Sequence, residues 1–143
     1  MSPSARPIVI GLLGRAGSGK TTAAGYLRDF YGAKVFSFAR AVKMLCKHVW
    51  DFRDEQMYGT QAQKEAIDER YGMSPRTAMI RLGDGARNVL WDRVWVDVCF
   101  RLIEEEHKKS PAPFYVIEDV RYPNEAEAVS ASLAFDGHVV KLI

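Results

Sequence analysis

The sequence predicts an α/β fold of three layers, with a mainly parallel sheet and a helical insertion. Three observations predict it. Short apolar strands alternate with helices, a glycine-rich turn joins the first strand to the first helix, and 75 residues separate the second strand candidate from the third. That excursion is too long for a simple crossover, so residues 39–110 are expected to form a helical insertion within one domain spanning 1–143. At 48% hydrophobic and 27% charged residues the composition excludes a disordered or low-complexity chain.

Ile8-Val9-Ile10-Gly11-Leu12-Leu13 is short, apolar and partly β-branched, the pattern of a strand buried on both faces, and far too short to span a bilayer. Ala23, Tyr26, Leu27 and Phe30 then recur at helical spacing, with Gly32 as the stop. Lys34 to Phe38 reads as a second strand. From Ala39 to Trp50, Val42, Leu45, Cys46 and Val49 share one helix face while Arg40, Lys43 and Lys47 make a basic stripe on another. A short helix is expected around Gln61 to Arg70. Ser74-Pro75 reads as N-cap and first-turn proline of a helix that Gly83 and Gly85 interrupt. Trp95, Cys99, Leu102 and Ile103 mark a further helix, ended by Lys108-Lys109-Ser110-Pro111. Phe114 to Ile117 is an apolar strand running into Glu118-Asp119, Pro123 to Phe135 a helix with acids in its first turn, and His138 to Leu142 a final strand that would need cover along its open edge.

The net charge of +2 hides an asymmetry. Residues 1–50 hold eight Lys/Arg against the single acid Asp29, a balance of +7, and residues 51–143 balance at −5. The first third therefore suits an anion, the alternative being a solvated basic surface. Cys46 and Cys99, 53 positions apart and outside any CxxC, read as reduced core residues of a cytosolic protein. His48, His107 and His138 show no metal-ligand spacing.

Gly14-Arg15-Ala16-Gly17-Ser18-Gly19-Lys20-Thr21 fits G-x-x-x-x-G-K-[ST], the Walker A pattern, after a buried strand and before a helix. Glycines let consecutive N–H groups turn into one concave nest, and the following helix adds its positive end. This is a P-loop NTPase-like arrangement. It predicts ATP held by Gly14 through Thr22, with Lys20 reaching the β- and γ-phosphates and the Thr21 hydroxyl on Mg²⁺. A GTPase Asn-Lys-x-Asp and a transporter LSGGQ are both absent. Glu118-Asp119 ends an apolar strand as a Walker B strand does, so Asp119 is a second candidate for Mg²⁺ and for the catalytic centre, a pair of capping or surface acids being the alternative. Transfer to a second phosphate requires cations from outside the loop, and Lys43, Arg76, Arg81, Arg87 and Arg121 are available. Arg121 is best placed, just past a strand end; its alternative is a surface ion pair with Glu125.

Ser37-Phe38-Ala39-x-x-x-Lys43, Ser74-Pro75-Arg76 with Leu82-Gly83 and Arg87, Val94-Trp95-Val96, and Asp119-Val120-Arg121-Tyr122-Pro123-Asn124-Glu125 together resemble the phage-type deoxynucleoside monophosphate kinases, of the adenylate-kinase-like group. The resemblance implies a transferase of deoxynucleotide metabolism in a bacteriophage-infected host cytoplasm, moving phosphate from ATP to a dNMP. It implies Lys20, Asp119 and Arg121 in catalysis, with Lys43, Arg76, Arg87, Trp95 and Arg121 on the acceptor, and neither nucleic acid nor membrane as partner. Two departures stand out. Ile80 occupies a position where relatives often carry Gln and cannot hydrogen-bond a base edge. Relatives also continue past the equivalent of Ile143 with a mobile lid, so the resemblance implies slow turnover by this stretch alone or a homodimer that completes the site. Two other readings of the same residues are a kinase of a different small acceptor and a shortened, non-catalytic nucleotide-binding module.

Overall fold

The computed structural model describes residues 6–143; the first five positions of the expected 1–143 domain lie outside the described residues. The elements run β1 (Ile8–Leu13), α1 (Lys20–Tyr31), β2 (Lys34–Phe36), α2 (Ala39–Trp50), α3 (Asp54–Tyr58), α4 (Gln61–Glu65), α5 (Pro75–Val89), α6 (Val94–Lys109), β3 (Tyr115–Val120), α7 (Pro123–Ser130) and β4 (Asp136–Lys141). They form two compact units, Met1–Phe38 with Val96–Ile143, and Ala39–Trp95.

The first unit holds a four-stranded sheet in the order β2-β3-β1-β4, and every pairing is parallel. Strand alternation assigns the faces. Ile10, Leu12, Val35 and Val116 point to one side, where Ala24 and Leu27 of α1 pack on them. Val9, Gly11, Tyr115 and Ile117 point to the other, where Val129 of α7 and His107 of α6 meet them. Val9, Tyr115, Val116, Ile117 and Val120 are fully buried, which is why their sequence reads as unbroken apolar runs. The Tyr115 hydroxyl, buried with the rest of its side chain, bonds His107 Nδ1 at 2.7 Å and accepts the Ala112 N–H at 3.1 Å. Lys34 bridges from β2 to Glu106 and to the Ser110 carbonyl, fixing the end of α6 to the sheet.

In the second unit α2 packs on α5. Ser74 caps α5 by accepting the Thr77 N–H at 3.1 Å, with Pro75 in the first turn as expected. Thr60 and Gln63 satisfy each other's backbone at the start of α4. The Asp68 carboxylate takes bonds from Arg70 and from Gln56 Nε2, and these bonds, led by Arg70, hold its pKa below the usual carboxylate range.

Several element boundaries differ from the expectations, each for a tertiary reason. The α5 helix runs unbroken through Gly83 and Gly85, because Gly83 is buried against Val42 and Trp95 and its carbonyl accepts the Trp95 indole N–H at 3.0 Å. β2 stops at Phe36 because the Phe38 N–H is taken by the Asp119 side chain instead of a ladder partner. The short helix expected around Gln61 to Arg70 is α4, which ends at Glu65 ahead of an Asp68–Met73 bridge, and α3 is a separate turn of helix before it. α7 ends at Ser130, and Phe135 beyond it turns inward to meet Phe100 edge-on at 5.0 Å. β4 begins at Asp136, pairs with β1 along its whole length and forms one edge of the sheet.

Candidate functional site

The turn after β1 has the geometry its glycines foretell. Gly17 (φ 82°) and Gly19 (φ 95°) occupy left-handed conformations that side chains with a Cβ adopt at a cost of about 1–2 kcal/mol. Ser18 N–H closes the turn on the Arg15 carbonyl at 3.0 Å, and the Ala23 N–H reaches the Gly19 carbonyl at 2.8 Å to start α1. At Gly14 the constraint is space: a Cβ there would lie 2.5 Å from Ser18 Oγ and 3.1 Å from the Leu142 carbonyl. Lys20 folds back across the loop and donates from Nζ to the Gly14 carbonyl at 2.7 Å. Arg15, Ala16, Gly17, Gly19, Thr21 and Thr22 are exposed. α1 has no acid in its first turn and no side-chain cap at Gly19, so nothing within its own first turn offsets the positive end of this helix. Ser18 Oγ is buried and, among the described residues, has no partner. A concave set of amides beside an ammonium suits an anion with several oxygens.

The register of the sheet brings a second strand end beside this loop. Leu13 pairs with Val120, so the backbone leaving β1 for Gly14 and the backbone leaving β3 for Arg121 emerge side by side at the carboxyl edge. Asp119, half-buried, accepts the Phe38 N–H at 2.8 Å and so ties down the residue that follows β2. The Arg121 side chain is exposed, and among the described residues its guanidinium enters no ion pair. The surface Arg121–Glu125 ion pair considered from sequence is not what forms: Glu125 Oε1 accepts the backbone N–H groups of Arg121 at 2.9 Å and Tyr122 at 3.0 Å. Glu125 is only 4% exposed. It was missed as a functional candidate, although Pro123 in the first turn and a glutamate two positions later are a readable helix-start signal.

Thr21 and Asp119 offer oxygen donors only, a hydroxyl and a carboxylate, which is the donor chemistry of Mg²⁺. Among the described residues no three His, Cys, Asp or Glu side chains cluster as a metal cage. Mg²⁺ is commonly held by one or two protein oxygens together with substrate phosphates and water, and the donor types of Thr21 and Asp119 fit that pattern.

The remaining predicted residues lie in the second unit. Lys43 on α2 sits with its ammonium 5.2 Å from the centre of the Tyr58 ring, a cation–π distance. Arg76 is exposed in the first turn of α5, and Arg87, near its end, bonds Asp84 at 3.0 Å. Trp95 is buried with its indole N–H already donated to Gly83, so it can help fix α5 but has no free donor for a ligand. Ile80 is half exposed on the same helix. Cys46 is buried, and desolvation pushes its thiol up to about 11, as for an inert packing residue.

No family model matches the chain. Over 144 residues it is 35% identical to a protein of Acanthamoeba polyphaga mimivirus named "Putative deoxynucleotide monophosphate kinase", covering 94% of this chain and 73% of that protein. The chain belongs to the deoxynucleotide monophosphate kinase family. It is also similar to a solved structure titled "Crystal structure of TT1252 from Thermus thermophilus", at 23% identity and a TM-score of 0.44. That match covers 96% of this chain, which spans 65% of the length of the solved one. The mouth of the Gly14–Lys20 loop carries an ammonium and a helix N-terminus, the chemistry that suits phosphate oxygens. No helix of the described residues is long and apolar enough to cross a membrane.

Proposed function

We propose that this chain transfers the γ-phosphoryl group of ATP to a deoxynucleoside monophosphate, giving dNDP and ADP. The observation that carries the reading is the pairing of Leu13 with Val120, which puts the cationic glycine loop and the Glu118–Arg121 strand end on one edge of the sheet. The family membership supports a deoxynucleotide as the acceptor.

In this reading the loop amides and the N-terminus of α1 bind the donor phosphates. Lys20 exchanges its bond to the Gly14 carbonyl for a phosphate oxygen and follows the charge of the moving phosphoryl group. Thr21 and Asp119 are the residues that would hold the Mg²⁺ accompanying ATP, which when bound neutralises charge on the β- and γ-oxygens. Asp119 has a positioning task as well, since it pins Phe38. Arg121, whose guanidinium enters no ion pair among the described residues, neutralises the acceptor, and Lys43, Arg76 and Arg87 hold it, with Trp95 keeping α5 in place. The bond from the γ-phosphorus to the β,γ-bridging oxygen breaks as an acceptor phosphate oxygen attacks. That oxygen is already anionic, so no strong base is required.

The test is ADP release with Mg·ATP and each of the four dNMPs, for the wild type and for Arg121→Ala. The proposal expects stimulation by at least one dNMP and a loss of about 10²-fold or more in the variant. Stimulation only by a non-nucleotide acceptor would assign the chain to another small-molecule kinase. ATP binding without acceptor-dependent turnover would make it a binding module.

A further inference from the structure

Glu125 is a buried carboxylate, 4% exposed, and nothing in the transfer reaction itself requires it. A helix start can be satisfied more cheaply: an exposed Glu or Gln at the third helical position reaches back to the N-cap N–H without giving up its hydration. Glu125 does more than that. Its Oε1 accepts the N–H of Tyr122, the N-cap of α7, and also that of Arg121, one residue further out. Pro123 has no N–H to offer, so these two bonds secure both donors of the turn between β3 and α7. The Tyr122 carbonyl in turn accepts the N–H groups of Glu125 at 3.0 Å and Ala126 at 3.1 Å, closing the turn from the other side. The buried charge also lies at the positive end of α7.

Its consequence falls on Arg121. The backbone of that residue is clamped while its side chain stays exposed and, among the described residues, outside any ion pair. A guanidinium on a long flexible stem must be aimed to bind a phosphate, and the cheapest way to aim it is to fix the backbone from which it springs. We propose that Glu125 is a positioning residue that sets Arg121 for the acceptor phosphate, acting through the Arg121 and Tyr122 amides and never touching the substrate. This rests on the reading of Arg121 given under the proposed function.

The experiment compares Glu125→Ala, Glu125→Gln, Arg121→Ala and the Glu125→Ala/Arg121→Ala double variant, each with separate KM values for ATP and for the best dNMP and with amide hydrogen exchange at residues 121 and 122. Glu125→Gln keeps an oxygen acceptor and is expected within about threefold of the wild type in kcat/KM for the acceptor. Glu125→Ala is expected to lose about tenfold or more in that parameter, to leave KM for ATP within twofold, and to lose protection at the two amides. In the Arg121→Ala background it is expected to cost nothing further. Additive losses, an equal effect on ATP and dNMP, or unprotected Arg121 and Tyr122 amides in the wild type would each overturn the inference. If Glu125→Ala does not fold, Glu125→Asp, which withdraws the carboxylate by one methylene, takes its place with the same acceptor-selective loss expected. A wild type that releases no ADP with any dNMP refutes the kinase reading and the acceptor role together, whereas an active wild type with additive variants refutes the positioning role alone.

Discussion

Replacing Lys20 by Ala probes the loop most sharply. Its ammonium crosses the mouth of the turn to the Gly14 carbonyl, six positions back, at 2.7 Å. The site is only partly buried, so for the free protein the loss amounts to one hydrogen bond with water available to replace it, about 1 kcal/mol or less. With the triphosphate bound, the same ammonium faces the oxygens whose charge shifts as the phosphoryl group moves. A preorganised donor in that position contributes about 10²–10³ in kcat, or about 2.7–4 kcal/mol. The variant should therefore fold with a urea midpoint close to that of the wild type, bind ATP somewhat more weakly, and lose at least about a hundredfold in dNMP-dependent ADP release at saturating substrates. The split between an almost unchanged fold and a large fall in kcat is the diagnostic result. A rate within about threefold of the wild type would refute the assignment of the moving charge to Lys20, and a collapse of stability would show that the lysine serves the loop's own structure.

Gly85 is helical with nothing within 4 Å of where a Cβ would stand, so Gly85→Ala should stabilise by about 0.5–1 kcal/mol and raise Tm; a lower Tm would contradict an unbroken α5. Tyr115→Phe removes a buried hydroxyl that serves both His107 and the Ala112 N–H, and should cost about 1–3 kcal/mol in urea unfolding; a cost under about 0.5 kcal/mol would contradict the network. Because Arg70 and Gln56 lower the folded pKa of Asp68, its contribution to stability is complete above the ordinary carboxylate range and disappears as pH falls through the depressed value. The stability gap between wild type and Asp68→Asn should hold steady from about pH 8 to 5 and shrink below about pH 4, and a gap that widens on acidification would contradict the sign.

What the sequence revealed and what it hid follow from the range of the forces involved. The loop at Gly14–Thr21 was legible because its requirements are local: glycines at positive φ and a lysine opening a helix. The strands were legible at Ile8–Leu13 and at Phe114 to Ile117 because burial leaves apolar runs there, whereas the continuation of β3 through Glu118 and Asp119 to Val120 breaks that pattern. Elements failed at their ends, where partners come from afar. Phe38 looks like the last residue of a strand until Asp119, 81 positions on, takes its N–H. Gly83 looks like a helix breaker until Val42 packs beside it and Trp95, 12 positions on, donates to its carbonyl. The acceptor residues were named by type and spacing, but their present bonds were not: Trp95 donates to Gly83, Arg87 meets Asp84 and Lys43 lies over Tyr58. Glu125 was hidden in a different way. Its place at a helix start was visible, but its burial depends on the packing of α7 against the sheet, and its bond to Arg121 on how tightly the chain turns there.

The most direct test of the account is an amide NMR titration with Mg·ATP, read residue by residue. The account predicts saturable shifts concentrated at Gly17, Gly19, Lys20 and Thr21, with smaller ones at Asp119 to Arg121 on the neighbouring strand end, and their loss in Lys20→Ala. No saturable change at the Gly14–Thr21 amides, or the largest changes elsewhere in the chain, would contradict it.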